Sequence, residues 1–233
     1  MITLRMGSHD PHVRFLQRLL NHFLITDRGL PALNEDSIFG QKTDAALRRF
    51  QARYTGPGGR LVQDGVAGSA TWRALKVNME ISHPLPRIGQ NTGMTCWVVA
   101  GGLASGRMTS AIPGQAEFDP ATDLGGGGLG PSRANLALYA QSLGMRLLGD
   151  VPRNLDALAP HMYRGPIILV GDWVGGGKHA VVGSGIFSAG DPYLQMIRIN
   201  NSLPQGVGSI ELSTYPLMEL QGTGFDPYAV IVR

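Results

Sequence analysis

The feature that most limits how this chain can fold is a repeat near its start. Asp36-Ser-Ile-Phe-Gly40-Gln-Lys-Thr43 returns 28 residues later as Asp64-Gly-Val-Ala-Gly68-Ser-Ala-Thr71, and a stretch with helical spacing follows each copy. Each copy suits a turn that opens a helix. Asp with Gly favours a tight turn, the apolar pair points inward, the second glycine tolerates positive φ, and Thr43 or Thr71 stands near a helix start. Val13, Leu16, Leu19, Leu20 and Phe23 recur at helical spacing before the first copy, as do Ala45, Ala46, Leu47 and Phe50 after it. The pattern predicts a small three-helix bundle over residues 1–78.

The rest of the chain has another texture. Of the 33 glycines, 25 lie beyond residue 80. Residues 79–89 lose the helical period and hold Pro84 and Pro86, which marks a linker, and residues 90–233 read as a second domain mixing helices and strands. The expected class is therefore α+β in two compact units, as the length of 233 residues allows. With 43% hydrophobic and 16% charged residues the chain is globular rather than disordered, and no stretch reaches the roughly 20 apolar residues a membrane span needs. The start, MITLRMGSHDPHVRF, lacks the pattern of a cleaved secretory leader. Residues 1–80 carry 11 Lys/Arg against 7 Asp/Glu and the remainder 9 against 10, an excess too small to choose nucleic acid over another anionic polymer.

A single cysteine, Cys96, rules out an intrachain disulfide and a Cys-cluster zinc site. It lies in Gln90-Asn-Thr-Gly-Met-Thr-Cys96-Trp97, ahead of the apolar run Val98 to Leu103. That places the thiol in the first turn of a helix, where free N–H groups and the macrodipole favour a thiolate and lower its pKa. Gln90, six residues earlier, can fold back and donate to a developing oxyanion. For the base, His161 lies in a helical surface pattern, whereas His179 follows Gly175-Gly-Gly-Lys178 and opens the β-like run Ala180 to Ile186. A second run, Leu194 to Ile199, ends at Asn200-Asn201-Ser202. Two antiparallel strands joined through Ala189-Gly-Asp191-Pro would bring Asn200 or Asn201 beside His179 to orient its ring. Trp97 reads as core, and Asp172-Trp173 as a cleft lining. Gly125 to Gly128 is not a phosphate loop, since no Lys-Ser/Thr follows, and reads as a surface or cleft loop.

Two resemblances follow from these residues. Leu4-x-x-Gly7, Val13-x-x-Leu16-Gln17-x-x-Leu20, Ile38-Phe39-Gly40-x-x-Thr43-x-x-Ala46-Leu47-x-x-Phe50-Gln51 and Asp64-Gly65-Val66-x-Gly68-x-x-Thr71-Trp72-x-x-Leu75 resemble the bacterial peptidoglycan-binding domain, with Ser37 standing where that family usually has glycine. Asp36, Phe39, Asp64 and Trp72 take structural roles in this reading. Gln90, Cys96-Trp97, His179 and Asn201-Ser202 occur in the order of the papain-like cysteine peptidases, especially the compact bacterial branch of bacteriocin-processing and type III effector proteases. That branch commonly has Asp-Pro where this chain has Asn201-Ser202, which leaves Asn200 and Asp191 open as the third member.

The second resemblance implies a cysteine hydrolase that cleaves amide bonds without a metal or organic cofactor. Together the two imply peptidoglycan as partner and substrate, with a wall-targeting lytic enzyme or secreted antibacterial toxin as the setting. An immunity protein or secretion apparatus is a further expected partner; nucleic acid is not. The expected location is outside the cytoplasm, in the periplasm or envelope, reached without a cleaved signal. A protease cutting a protein substrate and an inactive wall-binding protein are the rival readings.

Overall fold

The computed structural model describes residues 1–24, 31–107 and 129–233. The Gly125 to Gly128 run lies outside them. The chain divides into two compact units, Met1–Glu80 with Phe187–Met196, and Ile81–Ile186 with Ile197–Arg233. Residues 79–82, within the expected linker, form strand β1 (Met79–Ser82).

In the first unit, α1 (Pro11–Phe23) starts where Asp10 accepts from the His12 N–H at 2.8 Å and Pro11 occupies the first helical position. Val13, Leu16, Leu19 and Leu20 are fully buried along one face. Helices α2 (Gln41–Arg53) and α3 (Ser69–Ala74) follow the two repeat turns. Phe187 packs on this unit's core, its ring 6.1 Å from Phe15 and 4.7 Å from His12.

The repeat is built around two buried glutamines. Gln17 Nε2 donates to Asp36 Oδ1 at 2.8 Å, Ile38 O at 3.1 Å and Thr43 Oγ1 at 3.2 Å, while its Oε1 accepts from the N–H groups of Asp36 and Ser37. Gln51 repeats the set one helix later, donating to Asp64 Oδ1 at 2.9 Å, Val66 O at 3.1 Å and Thr71 Oγ1 at 3.4 Å and accepting from the Gly65 N–H. Each amide closes the turn that starts the next helix. The Val66 N–H, followed by the Gln51 amide, holds the Asp64 carboxyl below its ordinary range against the cost of burial. At Asp36 burial is the largest single influence and pushes the carboxyl up, yet the Gln17 amide and the Ile38 N–H together outweigh it and the net shift is also downward.

Two local expectations are corrected here. The second glycine of each copy does not adopt positive φ: Gly40 and Gly68 are extended helix caps with φ of −91° and −93°. The left-handed residue is the one after the aspartate, Ser37 at φ 66° and Gly65 at φ 70°. Thr43 and Thr71 do not cap the helices either. They sit inside the first turn, and their hydroxyls reach back to Ile38 O and Val66 O, so they belong to the turn network.

The second unit is built on an antiparallel sheet. Its strands are β2 (Arg146–Leu147), β3 (Ile167–Trp173), β4 (Lys178–Ser188), β5 (Gln195–Asn201), β6 (Ser209–Ser213), β7 (Met218–Leu220) and β8 (Thr223–Val232). Their order is β2-β8-β3-β4-β5-β6, with β1 added to β4 and β7 to β8. Helix α4 (Cys96–Ser105) is apolar all round, as befits a helix buried on every side. Its Trp97, Val99 and Leu103 share a core with Tyr139 of α5 (Arg133–Ser142) and with Ile168, Val182 and Ile231 of the sheet. A further helix, α6 (Leu155–Met162), is capped by Asn154 and carries the partly exposed His161. The whole is a mixed helix and antiparallel-sheet architecture with a helical unit in front.

Candidate active site

Cys96 is the first residue of α4, as its sequence position predicts, and that turn is pinned from below. The Tyr139 hydroxyl donates to Trp97 O. Gly101 makes this approach possible, because a Cβ there would lie 2.4 Å from the Tyr139 oxygen. The thiol itself is buried. Burial pushes its pKa up, against the N–H groups of Ala180, Trp97 and Cys96 itself, which pull it down. This corrects the expectation of a lowered pKa: withdrawal from water outweighs the helix N-terminus.

His179 is delivered by a tight hairpin. Gly175, Gly176 and Gly177 have φ of 105°, 105° and 96°, which only glycine adopts readily, and the Trp173 N–H donates to Gly177 O across the turn. Strand β4 then starts at Lys178 and pairs His179 with Gly171 of β3. A Cβ on Gly171 would stand 2.6 Å from the Phe225 ring, so glycine there lets Phe225 come up to the imidazole, edge-on at 6.5 Å. Trp173 stacks on the imidazole with centroids 5.2 Å apart and meets Phe225 edge-on at 5.4 Å. Burial lowers the His179 pKa, while the hydrogen bond to Asn201 and the charge of Glu211 raise it in part.

Strands β4 and β5 are neighbours, and His179 Nε2 lies 2.8 Å from Asn201 Oδ1, both residues buried. The other two candidates for the third position are engaged elsewhere. Asn200, on the opposite face of β5, accepts from Ser184 Oγ at 2.7 Å and donates to Pro86 O at 3.1 Å. Asp191 belongs to the first unit, where it accepts from the Tyr193 N–H at the 3-10 turn Pro192–Leu194.

Cys96 and His179 line one pocket of ≈ 230 Å³, together with Met94, Trp97, Lys178 and Tyr228. Gln90 is not among the residues of its wall. Its backbone is clamped between Ser202 O and the Gly206 N–H, its Oε1 accepts from Ser202 Oγ at 2.6 Å, and its Nε2 donates to Thr92 O at 2.8 Å. Asp172 is paired with Lys178 at 2.7 Å, at the exposed end of the hairpin.

Three features of the site escape the sequence. The Trp97 Nε1 and the Tyr228 hydroxyl are buried without a hydrogen-bond partner among the described residues, and both residues line the pocket. Glu211 of β6 accepts from Asn201 Nδ2 at 3.2 Å. Alternation along β6 could have placed Glu211 on one face, but which residue it meets depends on the β5–β6 register, and no local signal encodes that. With a buried thiol, an imidazole whose free nitrogen is Nδ1, and two unused donors, the pocket is equipped for nucleophilic attack on a carbonyl.

Residues 9–75 match the family model described as "Putative peptidoglycan binding domain". The chain carries a peptidoglycan-binding domain. The matched residues include the duplicated turn and its two glutamines, and the match gives the chain a cell-wall context. Among solved structures, the crystal structure of the Burkholderia AP3 phage endolysin is matched at 23% identity over 72% of this chain and 45% of that one, with a TM-score of 0.26. This chain thus spans less than half of the endolysin, and the likeness is too slight to assign a fold. A search of curated proteins returns no match. No helix among the described residues is long and apolar enough to cross a membrane.

Proposed function

We propose that the second unit is a papain-like cysteine hydrolase that cleaves an amide bond of peptidoglycan, in a peptide stem or crosslink. The observation that carries this reading is the shared pocket of Cys96 and His179, with Asn201 hydrogen-bonded to the far side of the imidazole. In the reaction the Cys96 proton passes to His179 Nδ1 as the sulfur bonds to the substrate carbonyl carbon. Neither side chain favours charge alone in its buried setting, and the transfer creates both charges together as a pair. The carbonyl oxygen becomes an oxyanion that the N–H groups at the start of α4 stabilise; the Gln90 amide, bonded to Thr92 O and outside the pocket wall, is not used as a second donor. Collapse expels the amine, which takes its proton from His179, and water then hydrolyses the thioester by the same route in reverse. No metal or organic cofactor enters these steps. Binding of the wall by the front domain raises the local concentration of the bond to be cut.

The test is digestion of purified sacculi by wild type and by Cys96→Ala, with products separated by chromatography and identified by mass spectrometry. New muropeptides from wild type alone are expected, and their masses identify the bond. Unchanged sacculi with both proteins would sink the wall substrate and favour a protein substrate.

A further inference from the structure

We infer that Glu211 is a positioning residue for this site, acting through Asn201 to hold the His179 ring in the tautomer that leaves Nδ1 unprotonated for the thiol. The inference rests on the reading of His179 as the base for Cys96.

Its basis is the hydrogen-bond inventory around one carboxylate. Glu211 accepts from Asn201 Nδ2 at 3.2 Å and Ser209 Oγ at 2.7 Å through Oε1, and from the Gln221 N–H at 2.8 Å through Oε2. Gln221 Nε2 adds a fourth contact at 3.3 Å. The Ser209 hydroxyl has one proton to share between Glu211 and Leu203 O, 2.8 Å away, but Asn201 Nδ2 and both Gln221 nitrogens can only donate, and a carboxylate is the side chain that meets such a set with acceptors alone. An amide has only one acceptor oxygen to share among them.

The consequence runs inward. Because Glu211 can only accept, the end of Asn201 that faces it is the NH₂, so Oδ1 faces the other way. The Leu203 N–H supplies an independent lock, donating to the same Oδ1 at 3.0 Å. An acceptor oxygen 2.8 Å from His179 Nε2 requires the hydrogen on Nε2. The neutral ring then has its lone pair on Nδ1. The sheet makes this geometry rigid: Asn201 pairs with Ser209 and Ile199 with Glu211, so Asn201 and Glu211 are diagonal neighbours on one face of β5 and β6. Trp173 stacked on the ring resists rotation. The Glu211 charge also favours the imidazolium that forms when the thiol gives up its proton.

The test uses the full chain and two readouts that need no substrate. Imidazole ¹⁵N shifts report the tautomer of His179, and the rate of Cys96 alkylation by iodoacetamide at pH 7 reports how readily the base takes the thiol proton. Wild type should show the Nε2–H form. Glu211→Gln should shift the ring toward a mixture of tautomers and slow alkylation by roughly tenfold, the lower end of what losing such an outer partner costs, since the Leu203 N–H still holds Oδ1. Asn201→Asp alone sets two carboxylates face to face and should be slow as well. The pair Asn201→Asp with Glu211→Gln restores one acceptor toward His179 and one donor toward residue 201, and should recover most of the wild-type rate.

Wild-type shifts and rate in Glu211→Gln would overturn the inference. So would a double variant no faster than either single one, and that comparison carries the test if Glu211→Gln alone fails to fold. Cys96-dependent digestion of sacculi that ignores Glu211→Gln would sink this inference and leave the proposed function standing. A Glu211-sensitive ring with no hydrolysis of sacculi would do the opposite.

Discussion

In the first unit the buried polar side chains Gln17 and Gln51 meet partners on both ends of their amides, whereas in the second a buried thiol, an indole N–H and a phenol border a pocket without such closure. Both regions bear the cost of removing polar groups from water, and they recover it differently. The glutamines regain it at once through bonds that fix two turns, so their chemistry is spent on the fold. At the pocket part of it is not regained within the described residues. Unspent donors beside a buried thiol are what the proposed reaction needs if the best partner of the pocket is the transition state.

The sharpest way to break the comparison is to remove the proposed base. His179→Ala should reduce hydrolysis and Cys96 alkylation at pH 7 by about 10³-fold, in line with the loss of one member of a unit that acts together. Thermal stability should change little by comparison. A small change in alkylation would mean that the buried thiol is activated by the helix start alone.

Gln51→Leu tests the other side. It leaves the buried Gly65 N–H and the Asp64 turn without their partner, and it should cost about 2–3 kcal/mol in urea unfolding of the full chain while alkylation of Cys96 keeps its rate. Tyr228→Phe is the counterpart at the pocket. Its hydroxyl has no partner to lose among the described residues, so Tm should hold or rise slightly, and KM for a muropeptide substrate should increase by about tenfold if the hydroxyl meets substrate, as hydrogen bonds of about 1.4 kcal/mol would dictate. Unchanged kinetics would show that the unpaired phenol is a structural defect rather than a binding group.

The smallest effect is expected at Ser37. Its φ of 66° matches that of Gly65 in the second copy of the turn, but a Cβ is carried there at a cost. Ser37→Gly should stabilise the protein by roughly 0.5–1 kcal/mol, the left-handed strain less the added freedom of glycine in the unfolded chain. Destabilisation would point to a role for the serine hydroxyl.

How far these features could be read from sequence depends on the range of the interaction. The turns at Asp36 and Asp64, the helix that begins at Cys96 and the hairpin that presents His179 are local, and glycine spacing and apolar period carry them. Positive φ falls three residues before the glycine that the pattern points to in each turn, because glycine is also at home as an extended helix cap and Gly40 and Gly68 are used that way. The N–H groups at the helix start, a local feature, favour a lowered Cys96 pKa, but burial, which depends on the tertiary packing, outweighs them. Asn200 and Asn201 could not be told apart by order alone. Strand alternation puts them on opposite faces of β5, with Asn201 toward His179 and Asn200 toward Ser184, while Asp191 serves the 3-10 turn. Glu211 and Tyr228 were out of reach, since each meets the site through a strand register that no short motif records.

The solitary thiol of Cys96 also sets the terms on which the molecule can be modified and counted. Within these 233 residues there is no second thiol to resolve a sulfenic acid into a disulfide, so oxidative damage at Cys96 can be reversed only by a thiol from outside, or proceeds to the irreversible acids. By the same arithmetic a thiol-directed mass tag can add only once. The fraction of intact protein that gains it is a direct census of molecules whose pocket is open, read without any substrate.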